Sequence, residues 1–390
     1  STYNTAVGYN AGVLVTTGVQ NVFIGGLAGD AITDADDNTA VGVGALTTDT
    51  LGSKSTAIGR SALQSQNFTT ATNTYNVAVG HGAGEAVTTG IQNTIIGGLA
   101  GDEMQTANGN TLVGYQAAGD GVVTGATNTA VGANSVLTLT SGSDNAVLGQ
   151  GAGKFLTTGA GNTFLGSQAG LGITGTRLTG DENVAMGKNS GVLLQGAASD
   201  NTLVGAYAFD NLTTGGSNTG IGYNLNASAV GVTHEILIGS NTTGAGTHTV
   251  RIGTFAANAT LNLDGSDTSW AAASDARLKD DVVDSTVGLE FIKDLRPVTF
   301  KWKAKNAIAD TLPRYDANST DPVYGFGKYH HGFIAQEVKA VIDSHSDVVN
   351  GHNIWSEDPD GTQQLAPAAL VPMLVKAIQE LEARVAELEG

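Results

Sequence analysis

The hydrophobic and polar positions of the first two thirds of the chain fall into a five-residue figure that keeps returning. Asn4–Gly8 reads N-T-A-V-G, and related figures follow as N-V-F-I-G from Asn21, N-T-A-V-G from Asn38 and S-T-A-I-G from Ser55. Further starts fall at Asn76, Asn93, Asn110, Asn128, Asn145, Asn162, Asn183, Asn201 and Asn218, with E-I-L-I-G from Glu235 closing the series. The period is 17 or 18 residues, with steps of 21 from Ser55 to Asn76 and from Asn162 to Asn183, so two coils carry small insertions. The fourth position is always a large aliphatic (Val7, Ile24, Val41 and onward), the fifth is always Gly, and the eighth is usually Ala, as at Ala11, Ala28 and Ala45. A short β-branched strand ending at an obligatory Gly predicts a tight corner with positive φ or close backbone approach at every coil. A fixed period of this length is the mark of a stacked repeat, here a β-solenoid.

Asn at the first position suits a turn and is expected to stack from rung to rung as a ladder. Small residues at the eighth leave room for another wall to approach. Each coil is expected to bury its one large aliphatic and a few smaller residues, which is a thin core. Either the coils stack into one narrow column, or three chains share an axis. Fourteen coils at about 4.8 Å per rung would span on the order of 65 Å. The repeats are assigned to 1–246. The segments T-H-T-V-R-I-G and A-N-A-T-L-N-L-D, between Thr247 and Asp264, read as transition strands within a linker, 247–273.

After Ser274 the pattern changes. Gly288 to Leu295 has helical spacing and Pro297 ends it, while V-T-F-K-W reads as a strand with Val298, Phe300 and Trp302 on one face. His331 to Ile342 starts as a turn or strand and becomes a helix. The last stretch, 370–389, places Val371, Leu374, Ile378, Leu381, Val385 and Leu388 at alternating steps of three and four, a coiled-coil seam. Arg384 and Glu389 are spaced to pair between chains.

Composition sharpens this border. Of 55 Gly, 48 lie before Ser274, together with none of the 6 Pro and only 6 of the 18 Lys plus Arg. There is no Cys, so disulfides are excluded, and the formal charge of −18 argues against nucleic acid, whose phosphates need clustered Lys and Arg. No apolar run of 18 residues and no basic n-region followed by an apolar stretch is visible, so neither a membrane span nor a secretory signal is read. The chain starts in mid-pattern, which leaves room for upstream sequence.

The repeats, followed by T-V-R-I-G and S-D-A-R-L-K, resemble phage tail-fibre and tail-spike proteins, and the repeats are also similar to the β-roll heads of trimeric autotransporter adhesins. Residues 274–390 resemble the intramolecular chaperone family first associated with phage endosialidases. The resemblance is carried by S-D-A-R-L-K (Ser274–Lys279), G-L-E-F-I-K-D-L-R-P-V-T-F-K-W (Gly288–Trp302), H-G-F-I-A-Q-E-V (His331–Val338) and the final L-V-P-M-L-V-K-A-I-Q-E-L helix. It implies a domain that trimerises, assists the folding of the upstream fibre and releases itself by cutting before the motif serine. The scissile bond would be Ala273–Ser274, with Ser274 as nucleophile and Lys279 as its partner. Asp275 could orient the local turn, Arg277 could pair with a carboxylate or steady an oxyanion, and a structural network explains Gln336 and Glu337 at least as well as a catalytic role. A serine hydroxyl needs a neighbour to take its proton, and a desolvated lysine serves. Spacing alone also accommodates a helix N-cap at Ser274-Asp275 with Lys279 on a solvated face. Residues at a and d nominally favour dimers, whereas the resemblance implies trimers.

Other clusters carry less. Asp34, Asp36 and Asp37 form an acidic loop that could hold Ca²⁺, although no Gly and distal Glu complete a known calcium loop. His330, His331, His345 and His352 fit no standard metal spacing. The insertions near Ser61–Thr74 and Gly166–Glu182, with Phe68, Arg177 and Glu182, are where surface loops would carry recognition. The expected protein is a homotrimeric fibre segment of a virion, made in the host cytoplasm, that needs no cofactor. Its other partners would be further tail proteins and a host receptor of glycan or outer-membrane type, with no nucleic acid and no membrane insertion. Two other classes compete: a polysaccharide-degrading tail spike, for which a groove with paired carboxylates is required, and a bacterial surface adhesin with the same tail.

Overall fold

The computed structural model describes residues 3–263, 271–272, 276, 279–312, 314–324, 327–348, 353–358 and 361–390. The chain divides into two compact units, 1–273 and 274–390.

The first unit is a β-solenoid of about fifteen coils with a 17-residue repeat. Each coil contributes a three-residue strand, such as Thr39–Val41 or Thr94–Ile96, that pairs in parallel and in register with the strands of the coils before and after it. The Gly that closes each strand explains the strict fifth position. Gly97 has φ of +138°, and a Cβ built on it would lie 2.3 Å from the carbonyl oxygen of Gly114 in the next coil. Both the backbone angle and the stacking distance therefore require the absence of a side chain.

The Asn ladder forms as expected. Asn110 Oδ1 accepts the backbone N–H of Asn128 at 2.9 Å, and its Nδ2 donates to the carbonyl of Gly125 at 3.1 Å. The same exchange recurs from Asn4 to Asn218, apart from one interruption at Ser55. At the end of the series Glu235 takes the ladder position, with its own N–H on Asn218 and its carboxylate accepting the N–H groups of Ser228 and Gly246.

One expectation is reversed. The large aliphatic at the fourth position points outward: Val7 is 59% exposed and Leu148 53%, and Ile24, Ile96, Met186 and Ile221 are exposed as well. The third position is the buried one, filled by Phe23, Ile95, Leu112, Phe164 and Leu203 and elsewhere by Ala40, Ala57 and Ala78. Asn and the third residue face in, so the strand's period of two sends the second and fourth out. The interior is completed by corner residues, Leu46, Leu63, Ile32 and Met104, and by Ala28, Ala45 and Ala83 at the eighth position. The first insertion is braced by a buried polar knot. Asp49 accepts the N–H groups of Gly52 and Phe68 and the amide of Gln66, which also binds Ser55 and Asn76. Its extra loop adds a small parallel pair, Gly52–Ser53 with Thr72–Asn73. The solenoid ends in longer strands, Thr219–Asn226 and Ile236–Thr243, then Thr249–Thr254, which pairs antiparallel with Asn258–Asn262.

Among the described residues the second unit has the α-helices α1 (Leu289–Asp294), α2 (Ala335–Ser344) and α3 (Val371–Glu389). Phe291, Leu295, Val338, Ile342, Val348, Ile354 and Leu370 form its core. The strands Val298–Phe300 and His330–Gly332 pair antiparallel and form the base of a long hairpin arm. Farther out, Val323 donates to the Lys303 carbonyl and Lys305 to that of Asp321.

Candidate self-processing site and assembly surfaces

Ala273, Ser274, Asp275 and Arg277 lie outside the described residues, as does His352. Lys279 is exposed, and its backbone N–H donates to the Ala276 carbonyl at 3.2 Å. Gln336 and Glu337 open α2. Glu337 is gripped through both oxygens by the Arg296 guanidinium, at 2.9 and 2.5 Å, and these hydrogen bonds hold its carboxyl below the usual range. The fork ties α2 to the segment after α1, but both partners are exposed and it adds little stability. Gln336 lies apart from this pair and lines a groove under the hairpin arm.

The calcium candidates do not converge. Asp34 accepts the Thr17 hydroxyl and Asp36 the Val19 N–H, each a contact to the preceding coil, while Asp37 is exposed with φ of +59°. The histidines are likewise dispersed: His331 contacts Thr299, His345 contacts Asp294, and His330 stacks on Phe300. Among the described residues no three His, Asp or Glu side chains are grouped to hold a metal ion.

One carboxyl that spacing did not single out stands apart electrostatically. Burial pushes Asp102 up to about 6, with Glu103 and Glu85 adding repulsion, and its Oδ1 is buried without a hydrogen-bond partner. Nothing in the repeat figure marks this position, because the residue at the corner varies from coil to coil.

Two surfaces are apolar and uncovered within one chain. On α3, Val371, Leu374, Ile378, Leu381, Val385 and Leu388 are all exposed, Leu388 by 87%. The domain-facing side of α3 is a different one. Ala377 is buried, Glu380 accepts the Leu289 N–H at 2.8 Å where α1 begins, and Arg384 reaches Glu290 at 3.7 Å. Within one chain Arg384 thus faces Glu290. On the solenoid, the outward second and fourth strand positions from Thr5 to Ile238 form a stripe of Thr, Val, Ile, Leu and Met with one Ala, Ala146, and no charged residue. Its exposed members, among them Val7, Ile24, Ile96, Leu148, Met186 and Ile221, belong to strands stacked in register.

Among the described residues no helix is long and apolar enough to cross a membrane. No curated protein and no solved structure matches the chain. Residues 274–347 match the family described as chaperone of endosialidase, which supports the reading of the second unit as a chaperone domain of that kind.

Proposed function

We propose that this chain is a segment of a homotrimeric fibre of the phage tail-fibre or tail-spike type. The solenoid is the shaft that presents a surface for host attachment, and the second unit drives trimerisation and folding before releasing itself. The observation that carries this reading is the pair of uncovered apolar surfaces. The stripe runs along the solenoid and the seam along α3, and each can be covered by the same element of a parallel copy of the chain. In length the stripe suffices: two outward side chains in each of fourteen coils make 28, within the roughly 20 to 30 residues per partner of a standard interface.

The release step follows from the residues at the border. Ser274 Oγ attacks the carbonyl carbon of Ala273 while Lys279 Nζ accepts the hydroxyl proton. The Ala273–Ser274 C–N bond breaks, the proton passes to the freed Ser274 amine, and an ester joins Ala273 to Ser274 Oγ. Water then hydrolyses the ester, leaving the Ala273 carboxylate and a new N-terminus at Ser274. The small side chains of Ala271, Ala272 and Ala273 allow close approach to this bond. Lys279 needs a desolvated setting to act as base, which assembly would supply.

Denaturing gels of wild type and Ser274→Ala test the release. A C-terminal fragment of about 12 kDa, the mass of 117 residues at the chain's mean residue mass, is expected in the wild type alone. Intact wild-type chains would defeat the cleavage claim. For the folding role, refolding residues 1–273 alone should give aggregates, and soluble native solenoid from that truncated chain would defeat it.

A further inference from the structure

One aromatic ring breaks the pattern of the corner that follows each strand Gly. The second residue after that Gly has positive φ in coil after coil, and it is Asn at Asn10, Asn134, Asn189, Asn224 and Asn241. Asn tolerates this backbone region, whereas a bulky side chain is disfavoured in it. From Asn10 to Asn241, Tyr207 is the one aromatic at that position, with φ of +58°. Its ring is held in place against a backbone cost, and such costs gather at functional sites. Tyr223 opens the corner of the next coil and is 53% exposed. The two rings stand at 89° with their centres 6.3 Å apart. Lys188, one coil earlier, lies 5.9 Å over the Tyr207 ring, and among the described residues no carboxylate pairs with it.

Side-chain amides frame the rings. Asn224 Nδ2 donates to Asn241 Oδ1, and Asn241 Nδ2 donates to Ser240 Oγ, each at 3.0 Å. These bonds fix both amide planes and leave the Asn224 oxygen and an N–H of each amide for a ligand. Lys188, Tyr207, Tyr223 and Asn241 fall in four successive coils, so the patch runs about 14 Å along the solenoid. Of the two residues after each strand Gly, from Tyr9-Asn10 to Ser240-Asn241, none is Asp or Glu, in a unit with 17 acidic side chains against 6 Lys plus Arg. No carboxylate in this column therefore draws the phenol, amide and ammonium donors away from an incoming hydroxyl.

A pyranose ring has a face of C–H bonds and a rim of hydroxyls that both give and accept hydrogen bonds. Two aromatic rings at right angles take the first, and ordered amides take the second. A single ammonium held on a ring, in a chain of formal charge −18, exerts little pull on an anion. We propose that Lys188, Tyr207, Tyr223, Asn224 and Asn241 form a binding site for a neutral oligosaccharide of a few pyranose rings. The site occupies the sixth and seventh positions of the coil, outside the apolar stripe at the second and fourth. The inference rests on the reading of the solenoid as an attachment shaft and gives that shaft a class of ligand.

The test applies the folded, fluorescently labelled full-length chain to a printed panel of neutral dextran, mannan, galactan and chitin oligosaccharides, with oligogalacturonate as the acidic member. Saturable binding to a neutral member is expected, changing by less than about twofold between low and physiological salt. Tyr207→Ala and Tyr223→Ala should each weaken it about tenfold or more, while Tyr223→Phe should stay within about threefold of the wild type. Tyr9→Ala, which removes the exposed Tyr of the first coil, should leave binding unchanged, and circular dichroism of each variant excludes misfolding as the cause. Absence of binding to every neutral member overturns the proposal. So does equal weakening by Tyr9→Ala, or salt-dependent capture of oligogalacturonate alone. A trimer that releases its C-terminal fragment but holds no glycan leaves the fibre reading standing, and this inference alone falls. Glycan held through Tyr207 and Tyr223 by a chain that stays single and uncut does the reverse.

Discussion

Replacing Asn110 with Ala strikes the solenoid's internal ladder at its middle. Asn110 is 1% exposed. Its loss leaves the buried N–H of Asn128 and the carbonyl of Gly125 without partners and also breaks the side-chain contact to Asn93. At roughly 1–2 kcal/mol for each of these two orphaned buried groups, the expected cost is about 2–4 kcal/mol. The first rung is the control, because Asn4 is only half-buried at the open end of the array; Asn4→Ala should cost less than about 1 kcal/mol. Each coil touches only its neighbours, so the damage should stay local. Hydrogen exchange read by mass spectrometry resolves this. Peptides covering residues 93–145 should lose protection by about 30- to 1,000-fold in Asn110→Ala, since each 1.4 kcal/mol is tenfold, while peptides beyond residue 200 should change little. Equal, small effects for the two variants would refute the idea that the ladder holds the coils together.

Three further substitutions address separate features. Gly97→Ala forces a Cβ against Gly114 in a backbone region closed to L residues, and should cut the yield of folded solenoid well below that of the exposed control Gly175→Ala, whose added Cβ meets nothing within 4 Å, as judged by size-exclusion chromatography. Asp49→Ala opens the knot at the first insertion by orphaning two N–H groups and the Gln66 amide; it should lower stability by about 3–5 kcal/mol in urea melts, and retention of wild-type stability would deny the knot its bracing role. Asp102 binds a proton more tightly in the folded state, so the folded chain is fully favoured below the ordinary carboxyl range. Stability is then lost as pH rises through about 6. Asp102→Asn should therefore stabilise the chain by about 1 kcal/mol at pH 7, allowing for partial solvent screening, and by nothing near pH 3; an equal effect at both would reject the assignment.

The solenoid and its corners were legible because Asn and Gly recur at fixed steps, and both recur for backbone reasons that every coil shares. Which strand residue faces inward was misread, because the conspicuous aliphatics Val7, Ile24 and Leu148 are on the outside and the inward position is often only Ala. A large residue there, such as Phe23 or Phe164, fills space for neighbouring coils that carry Ala40 or Ala185, and this compensation crosses rungs where a single repeat cannot reveal it. In the second unit, α1, α2 and the α3 seam followed from spacing and from Pro297. The arm did not, since Phe300 pairs with His330 across thirty residues without a tight-turn signal. The groove under the arm was hidden for the same reason: Lys301, Arg314, Gln336 and Gln364 line it only after the arm has closed.

Light scattering of the folded full-length chain, with and without Ile378→Asp/Leu381→Asp on the α3 seam, bears most directly on the central claim. The wild type is expected as a particle of three 39.3 kDa chains, and the doubly charged seam variant as a smaller species with aggregated solenoid. A wild-type particle of one chain, stable with both apolar surfaces facing water, would contradict it.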